Sequence, residues 1–189
     1  MDVRSRIRTF DEYKEEYQKS VDNPEGFWEA LAENFVWKKK WDKVLDWNFS
    51  KPEVKWFEGG ELNITENCLD RHLEERGDKV AILWEPNEPS EEAVKLTYKQ
   101  LHAKVCEFAN VLKAQGIKKG DRVCMYMPMI PELAIACLAT ARIGAVHSVV
   151  FAGFSAQALA DRVVDADARV ILTSDGNYRG KKNIPVKTI

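Results

Sequence analysis

No run of about 18 apolar residues occurs anywhere in the sequence, so no segment of it reads as a membrane span. The opening stretch MDVRSRIRTFDEYKEEY has no apolar block ahead of its acids, and no secretory leader is expected there. Cysteine is scarce: Cys68, Cys106, Cys124 and Cys137 lie far apart without a C-x-x-C, which argues against a disulfide scaffold and a zinc ribbon. Charge of one sign is lacking too. Lys and Arg number 28 against 30 Asp and Glu, and this balance excludes a basic nucleic-acid binder. With 45% hydrophobic and 31% charged residues in 189, disorder is excluded as well. G-x-x-x-x-G-K-S/T, G-x-S-x-G and H-E-x-x-H are all absent, and no nucleophile and base can be paired. By its own motifs the chain binds; no catalytic residue and no metal site is assigned. These absences leave a globular, reduced, cytoplasmic protein. The ending Lys187-Thr188-Ile189 carries no cap, turn or polar tail, and a truncated chain is expected.

What is present divides by composition. Residues 1–62 form one region, an N-terminal arm that holds five of the six tryptophans: Trp28, Trp37, Trp41, Trp47 and Trp56. Trp28, Leu31 and Phe35 fall at helical spacing, and Trp37, Trp41, Val44 and Leu45 continue the stripe, so a Trp-rich helical arm is expected. So aromatic a stripe needs cover. The Lys38-Lys39-Lys40 run reads as a solvated face, since residues 1–60 carry 11 basic and 13 acidic residues.

Residues 63–189 are regular. Asn63 and Glu66 have capping-box spacing and open a helix with Leu69 and Leu73 on one face, ending near Gly77. Strands follow at Lys79–Trp84, Val123–Met127, Ala145–Val150 and Val170–Thr173. Helices lie between them: one after Thr97 with Leu101, Val105, Phe108 and Leu112 on one face, one from Pro131, and one capped by Ser155. The junctions Gly77-Asp78-Lys79-Val80 and Gly120-Asp121-Arg122-Val123 repeat, and Asp167-Ala168-Arg169-Val170 nearly does. Alternation of continuous apolar strands with helices predicts an α/β fold, a parallel sheet with helices on both faces.

In such sheets ligands bind beyond the carboxyl ends of the strands. Three segments are expected there: Pro128–Pro131, Phe151–Ser155 and Ser174–Lys182. Phe151, Ala152 and Gly153 join a strand to a helix N-terminus, where small residues allow close backbone approach and free N–H groups favour anions. The same residues also suit an ordinary tight turn. After Asp175 the chain carries Arg179, Lys181, Lys182 and Lys187 and no acid, which suits a phosphate-rich ligand or, equally, a solvated basic loop. Cys68 and His72 stand at i, i+4 without further ligands nearby, and read as a helix-face thiol and a solvated His rather than a metal pair. His147 reads as a core histidine, and His102 sits on an amphipathic helix.

Asn67-Cys68-Leu69-Asp70-Arg71-His72-Leu73 and Leu96-Thr97-Tyr98-Lys99-Gln100-Leu101 carry a resemblance. The sequence resembles the AMP-forming acetyl-CoA synthetases of the acyl-adenylate-forming superfamily, whose first core motif is similar to Leu-Thr-Tyr-x-x-Leu. Met125–Glu132 and Ala141–Phe151 are similar to the next stretches of that family, and Phe27-Trp28 with Val54–Phe57 to its N-terminal region. The resemblance implies a two-step acetate–CoA ligase with acetate, Mg·ATP and CoA as substrates. It also implies that 63–189 is the first portion of the adenylate-forming domain. The family's phosphate loop, acyl pocket and adenylation lysine lie further along a longer chain, so this stretch alone is expected to be inactive and to need the remainder of its own chain. It further implies that Phe151, Ala152 and Gly153 border the CoA adenosine, and that Arg179 and Lys182 face its 3′-phosphate. Ala152 stands where the family commonly has Gly, and Lys182 where it often has Arg; Lys181 could substitute for Lys182. A ligase for propionate or another short acid, or a free-standing CoA- or nucleotide-binding module without catalysis, are the alternatives. No nucleic-acid or membrane partner is expected.

Overall fold

A computed structural model describes residues 7–180 and 182–188. Lys181, the alternative phosphate contact, lies outside the described residues, as do the first six residues and Ile189 on which the leader and truncation readings partly rest. The chain divides after Leu62 into two compact units.

The first unit begins with helices α1 (Phe10–Asp22) and α2 (Pro24–Ala32), followed by strands β1 (Lys43–Asn48) and β2 (Glu53–Glu58). Thr9 and Glu12 form a reciprocal capping box at α1, while Pro24 starts α2 with Asn23 as its cap. The expected helix through Leu45 is corrected here. α2 stops at Ala32, where side chains take the carbonyls that a continuing helix would use: Asn34 Nδ2 donates to Ala30 and Leu31 O, and Trp37 Nε1 to Ala32 O at 2.9 Å. Val44 and Leu45 lie instead in an antiparallel hairpin, with Leu45 opposite Trp56 and Asn48 accepting from Ser50 and Lys51 N at the turn. Trp37, Trp41 and Phe57 pack as a ring cluster with centroids 4.9–5.5 Å apart.

The second unit opens with α3 (Ile64–Cys68), a 3-10 turn (Asp70–His72) and α4 (Leu73–Arg76). One continuous helix was expected. The chain breaks instead at Leu69 (φ −122°, ψ −66°), which turns its side chain into the core. Then come β3 (Val80–Trp84), β4 (Val94–Thr97), α5 (Tyr98–Ala114), β5 (Arg122–Met127), α6 (Pro131–Arg142), β6 (Val146–Phe151), α7 (Ala156–Asp165), β7 (Val170–Thr173), β8 (Asn177–Arg179) and β9 (Lys182–Ile184). β5, β6 and β7 form the expected parallel sheet, in the order β6-β5-β7. β3 does not join it. It pairs antiparallel with β4, a strand the sequence pattern did not reveal. The connection 85–93 is too short for a parallel crossover, so the chain doubles back.

Helices cover both faces of the parallel sheet. On one face Val123 and Met125 of β5 meet Leu101, Val105, Ala109 and Leu112 of α5 and Leu133, Ile135, Ala136 and Ala139 of α6. On the other, Cys124, Tyr126 and Val150 meet Leu159 and Val163 of α7 together with Ile184 and Val186. Burial pushes the thiols of Cys124 and Cys137 above their ordinary range. The repeated Gly-Asp-Arg junction has a clear role at Asp121 and Arg122. Asp121 accepts from Lys118 N, and Arg122 donates to Ala166 O, Gly120 O, Asp167 O and the Asp167 carboxylate, fixing the start of β5 beside that of β7.

One polar cluster ties the start of the unit to α6. Arg142 donates from both Nη atoms to the two oxygens of Asp70, each at 2.8 Å, and from Nη1 to Thr65 Oγ1. Asn63 caps Thr65 N and donates to Ala141 and Arg142 O. The guanidinium beside Asp70 holds that carboxyl below the usual carboxylate range, and Asp70 in turn raises Arg142. His102 Nε2 lies 3.3 Å from Asp70 Oδ1.

Candidate functional site

Because β5, β6 and β7 are parallel, the three segments that follow them emerge at the same end of the sheet. Pro128–Ile130 leads from β5 into α6, Ala152–Ser155 from β6 into α7, and Ser174–Gly176 from β7 into the β8–β9 hairpin. The register places Met127 opposite Phe151, and Tyr126 opposite both Val150 and Thr173.

The segment after β6 is a tight turn in which Gly153 N and Phe154 N both donate to Phe151 O. Ser155 then caps α7 through Ala158 N at 3.3 Å. Phe151 is 61% exposed, and its ring meets Phe154 edge-on with centroids 5.7 Å apart. Ala152 is buried. Gly153 leaves room for the Phe151 ring: a Cβ there would come 2.5 Å from its Cε1 and push that exposed ring aside. The tight-turn reading is the one this geometry supports. The N–H groups of Gly153 and Phe154 are spent on Phe151 O and that of Ala158 on Ser155, so these donors, expected to be free for an anion, are taken, and the turn displays an aromatic ring. A cation that the sequence pattern did not single out stands beside it: the Arg162 guanidinium lies over the Phe154 ring at 4.9 Å.

The basic segment is not a simple loop. Tyr178 pairs with Asn183 and Arg179 with Lys182 in a two-stranded antiparallel hairpin, whose turn begins at Gly180 with φ 61°, a conformation that suits Gly. Arg179 and Lys182 therefore stand opposite each other on adjacent strands, and Lys182 is exposed. Lys187 is exposed too, in a short turn beyond β9.

Side chains lace these segments together. Tyr126 Oη donates to Phe154 O at 2.7 Å, and Asn177 Nδ2 to Ala152 O at 2.9 Å. Trp84 Nε1 donates to Met129 O at 2.7 Å and Asn87 Nδ2 to Gly180 O at 2.9 Å. Reasoning from sequence missed all four. Their acceptors are main-chain carbonyls distant in sequence, and no residue pattern marks such a partner. Among the described residues no group of three or more His, Cys, Asp and Glu is placed to hold a metal ion, and no helix is long and apolar enough to cross a membrane. Chemically the end of the sheet offers an exposed aromatic face, small-residue backbone and a cationic hairpin, a combination suited to a nucleotide phosphate rather than to bond breaking.

Comparison with known proteins places the chain in a family. The family of AMP-binding enzymes matches residues 69–188, and the acetyl-coenzyme A synthetase N-terminus matches residues 13–68. Acetyl-coenzyme A synthetase of Magnetococcus marinus is 58% identical over 94% of this chain, and that of Alkalilimnicola ehrlichii 54% over 95%. In each case the match covers 28% of the relative, so the chain spans little more than a quarter of their length. Acetoacetyl-CoA synthetase from Streptomyces lividans has a similar structure, with a TM-score of 0.83 at 32% identity over 90% of this chain and 26% of its own. With the match covering the sheet and all three of its strand-end segments, the chain belongs to the AMP-binding enzyme family.

Proposed function

We propose that this chain is the amino-terminal part of a cytoplasmic AMP-forming acetate–CoA ligase, and that its strand-end site receives the nucleotide of CoA. In the reaction, an acetate oxygen attacks the α-phosphate of Mg·ATP, the bond to pyrophosphate breaks, and acetyl-adenylate forms. The CoA sulfur then attacks the acyl carbon, its proton leaves to solvent, and AMP departs. Stabilising charge at the α-phosphate needs preorganised donors, and these belong to the rest of a longer polypeptide. Residues of this chain bind and orient. Phe151 offers a flat face to the adenine, Ala152 and Gly153 let the backbone approach, and Arg179 and Lys182 meet the 3′-phosphate, the Arg by a planar fork and the Lys as a point charge.

The observation that carries the reading is the meeting of the Phe151 turn and the Arg179–Lys182 hairpin, joined by the Asn177–Ala152 bond, in a chain whose relatives are named acetyl-coenzyme A synthetase. A ligase for another short acid shares every one of these features, and the acetoacetyl-CoA synthetase likeness supports keeping it as the second reading. The test is Arg179→Ala in the full-length ligase. The KM for CoA rises about tenfold, the factor that about 1.4 kcal/mol corresponds to. The constants for ATP and acetate stay put, because adenylation precedes CoA entry. Dephospho-CoA, which lacks the 3′-phosphate, discriminates little between the two proteins; equal harm to both ligands would make Arg179 structural.

A further inference from the structure

The four bonds that lace the end of the sheet form a circuit. Tyr126 joins β5 to the turn after β6, and Asn177 joins that turn to the β8–β9 hairpin. Trp84, the last residue of β3, and Asn87, three residues on in the β3–β4 connection, reach Met129 after β5 and Gly180 in the hairpin turn. Asn87 is the member that brings the hairpin turn into the circuit, across 93 residues of sequence.

Among the described residues, Asn87 is the side chain that donates to that turn. Each hairpin strand has three residues, and a two-stranded ribbon so short is marginal by itself. A Cβ added at Gly180 would meet nothing within 4 Å, so the turn stands clear of packing at its first residue. Arg179 and Lys182 flank it as a cross-strand pair. Whatever fixes the Gly180 carbonyl therefore fixes the spacing and direction of the two strand ends that carry these cations. The Asn87 contact is between a neutral amide and a carbonyl, so it holds the turn without engaging either cation.

We propose that Asn87 is a positioning residue for phosphate recognition: its amide holds the Gly180 carbonyl and presets the Arg179–Lys182 pair for the 3′-phosphate of CoA, an inference that rests on the site reading above. A preset pair loses less freedom on binding than a loose one, so the benefit is seen in affinity for the phosphate-bearing ligand.

The experiment pairs two variants and two readouts. In this chain, Asn87→Ala speeds trypsin cleavage after Arg179 and Lys182, because a released turn visits open conformations more often. In the full-length ligase, Asn87→Ala raises the KM for CoA about twofold, the scale of one solvent-exposed neutral hydrogen bond. The effect falls on KM rather than kcat, and it is absent with dephospho-CoA. Unchanged proteolysis, or equal effects on CoA and dephospho-CoA while Arg179→Ala stays selective, overturns the role of Asn87 and leaves the site reading intact. Loss of selectivity in Arg179→Ala overturns both.

Discussion

Between residues 7 and 62 the buried apolar side chains are Ala32 and Val44, whereas the second unit buries Val105, Val123, Cys124, Met125 and Ala139 completely. The first unit is held by half-exposed rings instead: Trp37, Trp41 and Phe57 in mutual contact, and Trp28 edge-on to Trp56 at 6.3 Å. Phe10, Tyr13, Tyr17 and Val21 line one face of α1 and are all exposed, and Phe49 at the tip of the hairpin is 84% exposed. Composition alone hides this contrast, for both units are rich in apolar residues. What differs is layering. A sheet sandwiched between helices removes whole side chains from water, while a two-stranded ribbon with one flanking helix can only shield ring faces.

The contrast can be put under strain by truncating two anchors of the second unit and one of the first. Leu112→Ala, in the layer between α5 and the sheet, costs about 2–5 kcal/mol, because a cavity remains where helix and sheet cannot close up. Urea unfolding followed by far-ultraviolet dichroism measures it. Arg142→Ala comes next at about 1–3 kcal/mol, since it strands a partly buried Asp70 carboxylate; faster amide exchange across α3 and the 3-10 turn reports the loss. Trp37→Ala costs about 1–2 kcal/mol, from two ring contacts and the bond to Ala32 O. Tryptophan fluorescence follows it well, because five of the six tryptophans lie in the first unit. A Trp37 loss as large as that of Leu112 would erase the distinction between the two units.

The smallest effect depends on pH. Asp70 is held below its unfolded value of about 4, so its contribution is complete above that pH and is lost as pH falls through the lowered folded value. His72 is lowered too, by burial first and then by Arg71 and Arg76. Its contribution is present above about 6.5 and is lost as pH falls below. The second unit therefore weakens in two acid steps. Asp70→Asn abolishes the lower step and leaves the upper one, a difference of roughly 1 kcal/mol, since water still reaches the partly buried pair. Unfolding midpoints at pH 7, 5 and 3 separate the two.

The elements that could be read from the sequence are those whose pattern and burial agree. α5 shows its steps of 4, 3 and 4 from Leu101 through Val105 and Phe108 to Leu112, and β5 is an apolar run from Val123 to Met127 because helices cover both its faces. Where patterns were ambiguous the reading failed. Trp37, Trp41 and Val44 sit at helical spacing by coincidence, and bulky rings serve a hairpin as well as a helix. β4, β8 and β9 are too short to show a period at all. That the segments after β5, β6 and β7 share one end of the sheet followed from the alternation of strands and helices. The lacing that shapes it was not, because an Asn or Trp donating to a far carbonyl looks, in sequence, like any polar loop residue.

Cys124 sits at the middle of β5, fully buried, with its thiol pushed up by burial, while Cys68 is exposed at the end of α3. An alkylating reagent attacks the thiolate and must reach it, so Cys124 reacts only during moments when the central strand leaves its neighbours. Its labelling rate, divided by that of an unfolded peptide thiol, is then the fraction of time the sheet spends open. Each factor of ten corresponds to about 1.4 kcal/mol. Cys68 in the same tube provides the immediate reference. The protein thus carries a native gauge of its own opening.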